Sequence, residues 1–258
     1  MKFGEKTHVE IKHLHERVVV LPLGSLEQHG HHLPMLTDSL FAQAIADHAE
    51  AELGEAALFL PALWLGASDH HRTFAGTVSL SNGVYQRVLE EVLESLIDGG
   101  ARRIFLLNAH GGNINPARVA LTEVQLRHCK EPELYIAFSS WWTLLGEQLQ
   151  TVPESQQRGV LHACEIETSL MLYLRPELVK PAPYEAANPQ FASVFYHPVG
   201  FANRVDVVRT FDQLSESGAV GLPQAATIGK GEVLLKMAVE QVVAFVQEFA
   251  HWPTCKPQ

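Results

Sequence analysis

The chain has 258 residues, 47% of them hydrophobic and 19% charged, with a formal net charge of −10. That is enough apolar material for one large core, and the acidic balance repels nucleic-acid phosphates, with no Lys/Arg cluster to overcome it locally. Cys129, Cys164 and Cys255 are odd in number and irregularly spaced, which argues against a disulfide framework and for a reducing cytoplasm. No apolar run is long enough to span a membrane, and the segment Met1 to Glu16, a mixture of charges and histidines, has no secretory-signal pattern.

In chain order, Arg17 to Pro22 is predicted as a buried strand that stops near Gly24. Helical spacing then runs from Asp38 through Leu40, Phe41, Ala44, Ile45 and His48 to about Gly54. Ala57 to Leu60 reads as a strand, and Val84 to Ile97 as a helix with Val88, Val92, Leu93 and Leu96 on one face, closed by Gly99-Gly100. Arg103 to Asn108 is a continuous apolar run, the pattern of a strand covered on both faces. A helix from about Pro116 to His128, a strand over Leu134 to Phe138, a helix over Glu165 to Leu174 and a long helix from about Gly231 to Phe249 complete the pattern. Alternation of this kind predicts one α/β domain over residues 1–258, a three-layer α/β/α arrangement with a mostly parallel sheet. The stretch from Pro181 to Gly221 lacks periodicity and is read as an excursion from that domain.

Ligands gather at the carboxyl ends of parallel strands, and polar clusters follow the predicted strands. The first is Glu27-Gln28-His29, followed by Asp38. In extended backbone, residues two apart point to one side, so Glu27 and His29 can meet at one point, and Asp38 can swing back to it from the helix start. Oxygen and imidazole donors without thiolate suit Zn, Mn or Fe(II). The ordinary role of Asp38 beside Ser39 is a helix N-cap, which competes with that of a ligand. The second cluster is Asn108-Ala109-His110-Gly111-Gly112-Asn113, where two glycines allow the backbone close to a ligand. The third runs from His162 through Cys164 to Glu165 and Glu167; on a helix the two acids point to different faces, so one of them shares a site with His162. Ser68-Asp69-His70-His71, leading to Phe74-Ala75-Gly76-Thr77, supplies further polar groups.

Together these segments resemble the creatininase family of metal-dependent amidohydrolases. Gly24-Ser25-Leu26-Glu27-Gln28-His29-Gly30 with His32-Leu33-Pro34 and Thr37-Asp38 is similar to its longest motif. Asn108 to Asn113, His162 to Ser169, Phe74 to Thr77 and Ser217 to Gly231 resemble further elements in the same order. The resemblance implies a three-layer fold, a homohexamer, a small-molecule amide substrate and two divalent ions per subunit: zinc, with manganese or iron as alternatives. It assigns Glu27 and His110 to one ion and His29 and Glu167 to the other, with Asp38 bridging. A metal-activated water then attacks the amide carbon, His162 or Glu165 protonates the leaving nitrogen, and Asn113 or the backbone of Gly111-Gly112 donates to the oxyanion. Ser68 and Trp142 are further substrate-side candidates, with Trp141, Phe195, Tyr196 and His197 as pocket residues and Arg72 or Arg204 for an acidic substrate.

Creatinine-specific members carry an acidic ligand where this chain has Gly112, which argues against creatinine and leaves one metal a ligand short, to be supplied by Glu165 or water. The expected reaction is hydrolysis of a small cyclic amide or formamide. A peptidase or a carbon–carbon or lactone hydrolase of the same family is the alternative. Catalysis by a Cys164 nucleophile and a non-catalytic metal-binding protein are the readings of other kinds.

Overall fold

The computed structural model of the protein describes residues 1–155, 159–181, 185–187, 193–199 and 203–254. Its centre is a four-stranded sheet built from β1 (Val18–Leu23), β2 (Ala57–Phe59), β3 (Arg103–Asn108) and β4 (Tyr135–Ser140), in the order β2-β1-β3-β4. Every neighbouring pair is parallel, with Val20 opposite both Phe59 and Phe105, and Phe105 opposite Ala137. Parallel pairing needs crossovers, and the helices α1 (Thr37–Leu53), α2 (Asn82–Asp98) and α3 (Ile114–Arg127) provide them.

Successive side chains of a strand point to opposite faces, and the core divides accordingly. Val18, Val20, Phe105 and Leu107 pack with Phe41 and Ile45 of α1 and with α5 (Glu165–Leu174) and α6 (Ile228–Phe249). Val19, Leu21, Ile104 and Leu106 pack on the other side with Leu89, Leu93 and Val124 of α2 and α3. The result is the three-layer α/β/α fold. Each fully buried side chain of this kind, such as Leu93, contributes about 1.5–3 kcal/mol by leaving water.

Differences from the sequence reading lie mostly at element ends. The buried face of α2 is Tyr85, Leu89, Leu93, Leu96 and Ile97, while Val88 and Val92 flank it half-buried. Its end at Gly99-Gly100 is as predicted: Gly100 has φ +98° and Ala101 N–H donates to Leu96 C=O at 2.9 Å. Helix α3 starts at Ile114, so Pro116 falls in its first turn, where no N–H is needed. β4 extends to Ser140 and runs into an unanticipated short helix, α4 (Trp141–Leu145). Within the excursion, β5 (Ala186–Ala187) pairs in parallel with β6 (Ala219–Val220), and Val220 N–H donates to His162 C=O at 2.8 Å, tying the excursion to the segment just before α5. No helix among the described residues is long and apolar enough to cross a membrane.

On the surface, the end of α3 is clamped to α2 by His128, whose ring nitrogens lie 2.7 Å from Glu94 and 2.6 Å from Glu131. Hydrogen bonds to Glu131 and then Glu94 raise its pKa above 6.5. A raised folded-state pKa stabilises fully below the unfolded value and is lost as pH climbs through the folded one. His128→Ala is therefore expected to cost about 1 kcal/mol at about pH 6, shrinking towards nothing in alkaline buffer. Urea melts at several pH values check this; a pH-independent difference contradicts it.

Candidate metal centre

The loop after β1 is pressed onto the first turn of α1. A Cβ on Gly24 would stand 2.4 Å from Ser39 Oγ and 2.5 Å from Ser39 Cα, so only glycine permits the approach. Ser39 Oγ donates to Ser25 C=O at 2.7 Å, and Ser25 Oγ donates to Asp38 Oδ2 at 2.7 Å. Leu36, not Asp38, occupies the N-cap position. Asp38 lies inside the first turn with its carboxylate turned to the strand ends.

There Asp38 divides its oxygens: Oδ1 is 3.1 Å from His29 Nε2 and Oδ2 is 3.0 Å from His110 Nδ1. Glu27 Oε2 lies 3.2 Å from His110 Nε2, and Glu27 Oε1 lies 3.1 Å from His71 Nε2. Glu167 joins from α5, with ligand atoms of His29, His162 and Glu167 all within 4.8 Å of one another. His29 Nδ1 is 3.1 Å from Glu27 C=O, which can only accept, so that nitrogen carries a proton and Nε2 faces the cluster.

Glu27, Asp38 and Glu167 are 0%, 2% and 5% exposed, and no Lys or Arg is among the described residues lining the adjoining cavity. Burial works against charge on His29, but Asp38 outweighs it and holds the imidazole at about 9. Burial likewise opposes a charged His110, yet Glu27 and Asp38 keep its pKa well above the ordinary value. Burial pushes Glu167 up to about 8, only partly countered by His29. Imidazolium protons are thus the only positive charge these side chains offer the carboxylates. Glu167 Oε2 is buried without a hydrogen-bond partner, and the buried Glu27 oxygens face only imidazole nitrogens, at 3.1 and 3.2 Å, with no well-aligned hydrogen bond. Orphaned carboxylate oxygens beside imidazoles, with no thiolate, fit divalent metal ions.

Gln28, between the two ligand candidates, points the other way and organises two more histidines. Gly30 N–H donates to Gln28 Oε1 at 2.8 Å, which fixes the orientation of the amide. Its NH2 then donates to His71 Nδ1 at 2.7 Å and to Gly218 C=O at 3.2 Å. His71 Nε2–H is left facing Glu27. His162 Nε2 donates to Gln28 C=O at 2.7 Å, leaving Nδ1 unprotonated, 3.8 Å from Glu27 Oε1. Gly218, at φ +81°, has no room for a Cβ, which would meet Gln28 Oε1 at 2.2 Å.

Several predicted site residues lie elsewhere or do other work. Glu165 faces away: its oxygens accept from Lys230 Nζ at 2.7 Å and from the N–H groups of Glu154 and Ser155 at 2.9 and 3.0 Å. Burial opposes its charge, but these bonds hold its pKa below the ordinary value, and they commit both of its oxygens away from the cluster. The Asn113 amide is consumed by Gly24 C=O, Asn108 Oδ1 and Ala67 N–H, so it braces the loops and cannot serve an oxyanion. Ser68 is buried with Oγ 3.3 Å from His110 Nε2, behind the histidine and not on the cavity wall. Gly112 is packed tightly, while Gly111 and Trp142 line the cavity. Trp141 is core, and Phe195, Tyr196 and His197 stand off the wall, which Pro198 and Val199 form instead. Arg72 pairs with Asp69 at 3.1 Å and Arg204 sits over Phe195, so neither offers a cation to the cavity.

The cavity holds about 260 Å³, and beyond the cluster its walls are apolar, with Trp142, Val160, Leu161, Val199, Phe211 and Leu214 among them. Phe211 stacks on His71 at 4.0 Å. Cys164 is buried and off the cavity wall, and burial pushes its thiol up to about 12, against the thiolate a nucleophile needs.

A family model for creatininase, described as creatinine amidohydrolase, matches residues 4–246. A mycofactocin precursor peptide peptidase of Mycobacterium tuberculosis is 30% identical over 243 residues, spanning 91% of this chain and 86% of its own. Creatinine amidohydrolase of Pseudomonas putida is 28% identical over 246 residues, spanning 90% and 89%. A crystal structure of creatinine amidohydrolase superposes with a TM-score of 0.77 at 28% identity, covering 96% of this chain and 97% of that one. Similar solved structures include a creatininase mutant of Zn–Zn type and a creatininase with Mn.

A thiol-alkylating reagent is expected to label exposed Cys129 in the native protein, to spare Cys164 and to leave catalysis intact. Peptide mass mapping alongside an activity assay checks this. Activity lost in step with labelling of Cys164 contradicts it.

Proposed function

Since the chain belongs to the creatininase family, whose members named above are hydrolases, we propose that it is a metal-dependent amidohydrolase cleaving a C–N bond in a small cyclic amide or formamide. The carrying observation is the burial of Glu27, Asp38 and Glu167 with orphaned oxygens and no Lys or Arg among the described residues around them. In this reading Glu27 and His110 hold one divalent ion, His29 and Glu167 hold a second, and Asp38 lies between. Support comes from the way Asp38 offers one oxygen to each histidine. Zinc is the first candidate, with manganese or iron as alternatives. Bound there, such ions lower the pKa of water and polarise a carbonyl.

The remaining steps belong to the chain's own groups. His162, pinned through Nε2–H, presents Nδ1 to the cavity as a base, and burial with neighbouring His71 and His29 keeps it neutral. It takes the proton of the attacking water and passes it to the leaving nitrogen. With the Asn113 amide committed to the loops, the backbone at Gly111 is the donor left for the developing oxyanion. The apolar walls and the lack of a cation among the described lining residues favour a compact, uncharged substrate. The same walls suit an apolar peptide end, and the similarity to a peptide peptidase supports that second reading. A homo-oligomer in the cytoplasm goes with the proposal, supported by the family resemblance and the scattered cysteines.

Metal analysis joined to an activity screen over lactams, formamides and short peptides tests this, with Asp38→Ala as the comparison. Two metal equivalents in the wild type are expected, with metal and turnover both reduced at least about 100-fold in the variant. Full metal and activity in Asp38→Ala would sink the bridging role, and cleavage of peptides alone would select the second reading.

A further inference from the structure

His70 has no part in the scheme above, yet it lines the cavity beside Glu27 and His110. Its ring lies nearly parallel to that of His110, 19° apart with centroids at 5.6 Å. Glu27, His70 and His110 present ligand atoms that all lie within 4.8 Å of one another. Of the other histidines of the cluster, His29 has a ring nitrogen committed to Glu27 C=O, His71 to Gln28 and His162 to Gln28 C=O, while His110 Nε2 is shared among Glu27 Oε2, Ala67 C=O and Ser68 Oγ. Neither ring nitrogen of His70 has such a bond among the described residues.

Gly112 accounts for the close approach of the two rings. A Cβ built there would stand 2.5 Å from His110 Nε2, 2.6 Å from His70 Cε1 and 2.1 Å from Ala67 C=O. His70 and a side chain at position 112 therefore compete for one volume, next to Glu27 and His110, and in this chain His70 has it. Glu165, the other residue that might have completed this side, is held by Lys230 on the far face of α5.

We propose that His70 is a ligand to the metal ion held by Glu27 and His110, filling the coordination place that position 112 cannot. The assignment rests on the two-metal reading. It makes this half of the centre richer in imidazole than the half around Glu167, and so better suited to Zn than to Mn.

Two variants separate a ligand from a wall residue. His70→Phe keeps an aromatic ring against Phe211 and His71 but has no donor nitrogen; His70→Gly opens a space that free imidazole can enter. Zinc equivalents and affinities are read by competition with a chromophoric chelator, with circular dichroism confirming the fold and Co(II) absorption reporting the coordination. The wild type is expected to hold two ions. Both variants should keep one and bind the other at least about 100-fold more weakly, with added imidazole restoring the second ion and its Co(II) spectrum in His70→Gly. If either folded variant holds two ions as tightly as the wild type, the His70 assignment falls and the two-metal reading stands. If the wild type itself takes up no second ion, both fall together.

Discussion

Three carboxylates from three separate segments meet at the carboxyl end of the sheet, and among the described residues lining the cavity there no Lys or Arg is present to neutralise them. Moving one ionised carboxylate out of water costs several kcal/mol even after relaxation, and Glu27, Asp38 and Glu167 are each at most 5% exposed. Histidines are the neighbours these acids have among the described residues, and of those only His29 and His110 are pushed towards the charged form, by Asp38 and Glu27. Such a cluster is compensated when cations of higher charge take the place of those protons. The fold is arranged to bring these groups together. β1 delivers Glu27 and His29, the first turn of α1 returns Asp38, β3 delivers His110, and the start of α5 inserts Glu167.

A contrasting arrangement occurs one residue pair away. Glu165 and Glu167 both open α5, but Glu165 meets Lys230 at 2.7 Å and two backbone N–H groups. It is a satisfied buried ion pair that ties α5 to α6 and to the segment before Val160, Leu161 and His162. Glu167, on the other face, has burial and an orphaned oxygen instead. Two acids in one helical turn thus have different surroundings because the helix turns them to different neighbours, one a lysine and the other a cluster of histidines and acids.

Much of this is legible in the sequence. The six-residue apolar runs at Val18 and Arg103 mark buried parallel strands, and the loops after them hold Glu27, His29 and His110. Asp38 can be picked out because it stands beside a helix start, although the same position suits a cap; the structure gives the cap position to Leu36 and turns the Asp38 carboxylate to Ser25, His29 and His110. Gln28, His70 and His71 are harder to see. Gln28 matters through His71, His162 and Gly218, far away in the chain, and no local spacing announces that. His70 and His71 stand in a polar cluster whose position relative to β1 and β3 depends on the path after β2. Asn113 misleads for the opposite reason: its residue type suits an oxyanion, but its partners at Gly24 and Ala67 are tertiary.

The proposed dependence of the centre on divalent cations is tested most directly by thermal melting of the protein before and after chelation, with stoichiometric zinc then restored. A ligand that binds only the folded state raises its stability in proportion to the logarithm of its concentration over Kd. The melting temperature should fall on stripping, return with zinc, and rise further with zinc in excess. Melts that coincide in all conditions would contradict the account, because the carboxylates would then be content without a metal.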